Sequence, residues 1–223
     1  MSYLDEKIPT ITPLPPKFHI FRTKPTLGKK LLRIGQTETQ LQNAISLGAD
    51  SWKHCGTAIH MGPERDSPKA AFAVNRYGLN NKIIVTFPAF DDSSVEMRGH
   101  WGLIRTTFDF EMGVGFGADR HVERFQWRSA KKGECQSVGR RGWKLLRLGG
   151  FDAHVVKGGK EDDAEIVALW STDYCTNYLS GNFELVGAGR SGVLGDQWTY
   201  MAAVSALTIG KALRTMTTTA AVS

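Results

Sequence analysis

The chain has 223 residues, 41% hydrophobic and 22% charged, a balance that fits a soluble globular protein and excludes a disordered one. Its net charge is +6, and its three cysteines, Cys55, Cys135 and Cys175, are too widely spaced and odd in number for a disulfide framework or a Cys-x-x-Cys metal knuckle. The first residues lack the basic, apolar and small-residue succession of a secretory signal, so the expected location is cytoplasmic, with a membrane surface or the nucleus as further settings.

Residues 1–17 carry Pro9, Pro13, Pro15 and Pro16 and read as an extended, proline-rich lead-in outside the core. Residues 18–214 read as one domain. It begins with short strand-like runs at Phe18–Arg22, Lys30–Ile34, Ala58–Met61, Ala70–Tyr77, Lys82–Phe87, Gly102–Phe110 and Val114–Phe116. Further runs follow at Arg124–Arg128, Trp143–Leu148, His154–Lys157, Glu165–Ser171 and Asn182–Gly187, separated by Gly, Asp, Asn and Pro signals. In Glu123–Arg128, Phe125 and Trp127 share one face while Arg124, Gln126 and Arg128 share the other, the alternation of a sheet with one wet side. Between the second and third runs, Glu38–Leu47 reads as a helix that packs Leu41, Ala44, Ile45 and Leu47 against the outside.

The chain then changes character. Over 196–214, the bulky residues Trp198, Tyr200, Met201, Val204, Leu207, Ile209 and Leu213 spread around most of a helix instead of forming one stripe, so the helix needs enclosure. Gln197–Gly210 has only 14 residues without a formal charge, short of the roughly 20 that span a bilayer, so no transmembrane span is expected. Burying the seven side chains at about 1.5–3 kcal/mol each contributes on the order of 10–20 kcal/mol gross, enough to make the helix the centre of the core. Asp196 suits its start, and Lys211 and Arg214 suit its end. Residues 215–223 are a tail. About twelve strands with hardly any intervening helix exclude an alternating β-α architecture. The expected fold is mainly β, a closed antiparallel barrel of about twelve strands around the hydrophobic C-terminal helix.

Several stretches carry a family likeness. They are Phe21-Arg22-Thr23, Leu47–Trp52 with Cys55–Ile59, Ala71–Tyr77, Gly113–Asp119, Arg140–Leu145 and Phe183–Gly189. Through them, residues 18–214 resemble the tubby C-terminal-like superfamily, which includes tubby domains, phospholipid scramblase-like proteins and the LURP-one-related proteins. The resemblance implies a twelve-stranded barrel around a hydrophobic helix. It also implies phosphoinositide binding through basic side chains, as in tubby domains, or work at membranes with calcium, as in scramblase-like members. The chain departs from the latter: no acidic calcium segment stands before its helix, and the helix is too short to span. No residue-level lipid motif carries over.

The excess charge is local. Between Arg128 and Arg147 lie Arg128, Lys131, Lys132, Arg140, Arg141, Lys144 and Arg147 against the single acid Glu134, and the rest of the chain is neutral. Clustered cations suit phosphate-bearing surfaces. Lys131 and Lys132 fall in a turn, and Arg140 and Arg141 precede a strand. The bland alternative is a solubilising loop.

Other motifs weigh less. Gly187–Gly192 fits GxGxxG after a strand and before a helix, but neither a second parallel strand nor an acidic residue about 20 positions on follows, so its glycines are expected to turn the chain into the barrel. Gly113–Gly117 alternates glycine with apolar residues, as a sharp bend does. His54, Cys55 and His60, with Cys135 or Cys175, lack zinc spacing, and Glu161–Asp163 lacks the spaced ligands of a calcium loop; neither metal nor cofactor is expected. No GxSxG, HExxH or paired-carboxylate spacing points to catalysis. The expected function is a non-enzymatic barrel that binds anionic phospholipid headgroups or an acidic protein surface through the seven basic residues. The alternative is a barrel that binds a small apolar metabolite, as a cofactor-independent enzyme of the isomerase, lyase or cyclase type. Nucleic acid is disfavoured because the aromatic residues form no recognised stacking motif.

Overall fold

The structure, a computed structural model, describes residues 11–26, 29–47, 55–76, 82–102, 106–131, 133–139, 142–150, 164–172 and 180–220. Among these, twelve strands form one antiparallel sheet: β1 (Lys17–Thr26), β2 (Lys29–Gly35), β3 (Leu41–Leu47), β4 (Cys55–His60), β5 (Lys69–Arg76), β6 (Lys82–Thr86), β7 (Ser94–Trp101), β8 (Thr106–Val114), β9 (His121–Ser129), β10 (Trp143–Gly150), β11 (Glu165–Thr172) and β12 (Gly181–Leu185). Each pairs with its sequence neighbours, and β12 pairs back onto β1, closing the barrel. Closure leaves no sheet edge unpaired. At the seam Phe18 lies opposite Phe183, with their rings stacked 4.7 Å apart. The chain then makes a short helix, α1 (Gly187–Ser191), at what we call the near rim, and α2 (Asp196–Ala220) runs from that rim through the barrel.

Every residue from Trp198 to Gly210 is buried, so over this stretch α2 is enclosed on all sides. Trp198, Tyr200, Met201, Val204, Leu207 and Ile209 are exposed by 1% or less, and Leu213 packs half-buried farther along. Alanines at 202, 203 and 206 and at 71 and 73 keep facing volumes small where α2 packs beside β5. The buried hydroxyls of Ser205 and Thr208 are satisfied: Thr208 Oγ1 donates to the Val204 carbonyl at 2.7 Å, and Ser205 Oγ donates to that of Ala202 while accepting Trp127 Nε1–H of β9 at 2.8 Å. Among the described residues no helix is long and apolar enough to cross a membrane.

Several sequence expectations need correction. Glu38–Leu47 is not a helix: Leu41–Leu47 is β3. Its wall is covered on both sides, so Asn43, Ala44 and Ile45 are all buried and the strand shows no alternation. The preceding Thr37–Gln40 imitates a helix start but is a tight turn, in which Gln40 N–H donates to both Thr37 O and Thr37 Oγ1 at 3.2 Å. The sequence reading missed β7, whose two apolar inward residues, Val95 and Met97, alternate with charged ones. Gly102–Phe110 is shifted to β8, and Val114–Phe116 is no strand of its own: Val114 ends β8, and Gly115, at φ +85°, opens the hairpin into β9. His154–Lys157 lies outside the described residues. The lead-in is also more than a lead-in, since Leu14 is buried in the core, Pro16 O accepts Leu185 N–H at 2.7 Å and Thr12 O accepts the Tyr200 hydroxyl at 2.9 Å. Finally, α2 runs six residues beyond the expected 214, to Ala220.

Candidate functional site

Period-two alternation places the basic residues. On β9, Phe125 and Trp127 point inward, fully buried, and Arg124, Gln126 and Arg128 point out. On β10, Trp143 and Leu145 point inward and Lys144 points out, directly opposite Arg128. Two like charges facing each other across strands destabilise the pair. A row of polar contacts runs beside them: Asp109 on β8 accepts from Arg124 at 2.9 Å and from Gln126, and Gln126 accepts Arg128 Nε–H.

The β9–β10 connection is folded down onto the wall, not held out as a solvated loop. Cys135 and Val138 are buried against Leu169 of β11 in a small cluster outside the barrel. Val138 O accepts from Ser171 Oγ at 2.5 Å and Asn182 Nδ2 at 2.7 Å, and Ser137 O accepts Lys17 Nζ at 3.2 Å. Gly142 is required where it stands, because a Cβ there would lie 2.4 Å from the Trp170 carbonyl oxygen. Burial pushes the Cys135 thiol up to about 11, so it remains protonated and serves packing.

Glu134 organises the cations. Its Oε2 accepts Lys131 N–H at 2.6 Å and its Oε1 accepts Lys144 Nζ at 2.7 Å. Partial burial raises this carboxyl, but the Lys144 and Lys131 contacts outweigh it and hold the group below its ordinary range. Arg128, Lys131 and Lys144 are therefore brought together. Lys132, Arg140 and Arg141, also expected at the site, lie outside the described residues.

Arg147 is placed elsewhere. It sits opposite Phe125, on the inward side of β10 near the near rim. Its Nε and a terminal nitrogen donate to the two oxygens of Glu123 at 2.5 and 2.6 Å, and its other terminal nitrogen to Glu165 at 3.3 Å. Glu123 is 3% exposed and also accepts His121 Nε2–H at 2.5 Å. Burial raises the Glu123 carboxyl, yet Arg147 and His121 outweigh this and the net shift is downward; the Asp119 carbonyl and Glu123 raise His121. Glu165 continues the network by accepting Ala188 N–H at 2.7 Å, and its carboxylate fills the space that a Cβ on Gly187 would need. The Gly187–Gly192 motif thus turns the chain toward α2.

The family comparison adds nothing to this geometry. No family model, curated protein or solved structure matches the chain.

One polar constellation went unseen in the sequence. His60, 3% exposed, donates through Nδ1 to the Ser67 carbonyl at 2.7 Å, and its Nε2 accepts the Ser46 hydroxyl at 2.9 Å. Arg33 holds Glu64 of the same connection at 3.3 Å. Both ring nitrogens of His60 thereby tie the β4–β5 connection to the wall. His54 and Cys175 lie outside the described residues. The signal for this arrangement existed only in three dimensions, since Ser46, His60 and Ser67 belong to three different segments.

Proposed function

We propose that this protein is a non-enzymatic barrel that binds anionic phospholipid headgroups, phosphoinositides above all, on the outer wall around the β9–β10 connection. The observation that carries the reading is the facing pair Arg128 and Lys144, two cations set opposite each other where a phosphate would relieve their repulsion. The concentration of charge in this part of the chain and the tubby-like resemblance support it; the barrel agrees with that resemblance, although a fold alone does not carry function. Trp127 and Trp143 are buried inside the barrel, so neither is an exposed platform for stacking nucleic-acid bases. The small-molecule reading has less support, because side chains enclose α2 on every side from Trp198 to Gly210.

Sedimentation with phosphatidylcholine vesicles, with and without phosphatidylinositol bisphosphate, tests the proposal. Binding should need the anionic lipid, weaken with added salt, and fall at least about tenfold when Lys131, Lys132, Arg140 and Arg141 are all changed to Glu, given about 1 kcal/mol per cation at such a surface. Absence of binding by the wild type, or binding that survives the four changes, overturns it; retention on an acidic protein in place of vesicles would reassign the wall to a protein partner.

A further inference from the structure

Glu134 does more than balance charge. Its carboxylate bridges a backbone N–H and an ammonium, with one oxygen on each, as two oxygens of a phosphate monoester would. Lys144, only 12% exposed, delivers its charge to Glu134 and not to solvent. The ion pair is open on the carboxylate side, Glu134 being 26% exposed, so a competing anion can reach it and Glu134 can move out to water. In the free protein Glu134 neutralises Lys144, which stands opposite Arg128, so an anion taking its place inherits a preformed cradle.

We infer that Glu134 is a built-in competitor that occupies the phosphate position on this wall and must swing away when a phosphate monoester binds. The inference rests on the proposed binding of anionic headgroups and adds how that site is regulated. It predicts that the Lys131 amide and the Lys144 ammonium pass from the carboxylate to the ligand. A free inositol phosphate and a lipid headgroup share this chemistry.

The test is Glu134→Gln, which keeps a carbonyl acceptor for the Lys131 N–H and removes the charge. Affinity for phosphatidylcholine vesicles doped with phosphatidylinositol bisphosphate should rise about fivefold, the equivalent of one partly exposed ion pair. Glu184→Gln is the control, because it removes one charge beside Lys17 on the neighbouring wall without touching Lys144. It should change affinity less than about twofold, since Glu184 touches neither the Lys131 amide nor the Lys144 ammonium that hold the Glu134 carboxylate. In a Lys144→Met background the Glu134→Gln gain should shrink to the size of the control, as coupling between the two residues requires. Equal gains from Glu134→Gln and Glu184→Gln, or a gain that persists without Lys144, overturn the competitor. Wild-type binding left unchanged by Glu134→Gln overturns it too while leaving the basic wall standing, whereas absence of binding by every variant removes the wall and the competitor together. Repeating the measurement with soluble inositol bisphosphate separates the sources. A gain in both assays supports recognition of the phosphate group itself, and a gain with vesicles alone supports a competitor released at the bilayer surface.

Discussion

On β10, Lys144 looks outward from the wall while Arg147, three residues on, is drawn inward at the near rim, so two cations that are equivalent in a charge count meet different partners. Lys144 shares a partly open carboxylate with a turn. Arg147 clamps a buried one, from two sides, and ties it through Glu165 to the start of α1. Strand parity makes the difference: even-numbered residues here face out and odd-numbered ones face in. The carboxylates differ more than the cations: Arg147 holds one that is 3% exposed and must stay paired, whereas Lys144 holds one that is 26% exposed and can be exchanged.

The largest way to break this comparison is Arg147→Met. It leaves Glu123, 3% exposed, without its main counter-charge, and should cost about 3 kcal/mol in urea unfolding, the lower end for breaking a buried pair because Arg147 itself is 29% exposed. Adding Glu123→Gln should return a large part of that loss. A cost below about 1 kcal/mol would mean the rim cluster is no more than a surface pair.

A smaller effect follows from pH. His121 is raised above its ordinary 6.5 by the Asp119 carbonyl and Glu123, so its protonated form favours the fold. That contribution is complete below pH 6.5 and lost as pH rises through the raised folded value. The melting temperature should therefore fall on the alkaline side, and His121→Gln should remove that slope. On the acid side, Glu123 and Glu134 both stand below their ordinary 4.5, so their contributions are present above 4.5 and fade as pH falls through the lowered folded values. An alkaline slope unchanged in His121→Gln would show that His121 is not coupled to the clamp.

The same parity decides how much was legible beforehand. The all-round apolar surface of α2 and the alternation in β9 announced a barrel with a helix inside it. Where both sides of the wall are covered, as at Asn43–Ile45, alternation vanishes and the strand resembled a helix. Where few apolar residues were available, as in β7, the strand left no run to see. For the site, composition located the basic stretch but could not divide it. Nothing in the residue types separates Arg147 from Lys144, because their fates depend on Glu123 and Glu165 for one and Glu134 for the other, residues brought near by pairing and by the folded connection. The burial of Cys135 and Val138 outside the barrel was likewise invisible, since that pocket exists only once β11 is in place.

The smallest stability effect sharpens the comparison most. Lys144→Met breaks the contact with Glu134 but also removes the repulsion with Arg128, and the two changes oppose each other. Unfolding should shift by less than about 1 kcal/mol in either direction. Binding to bisphosphate-doped vesicles should nonetheless fall about fivefold, the loss expected for one cation at an anionic surface. Arg147→Met should show the reverse, a marked loss of stability with vesicle affinity unchanged at temperatures where the variant is folded. If both variants lost binding equally, strand parity would not divide the basic stretch into a clamp and a ligand-facing wall, and its seven cations would act as one diffuse charge.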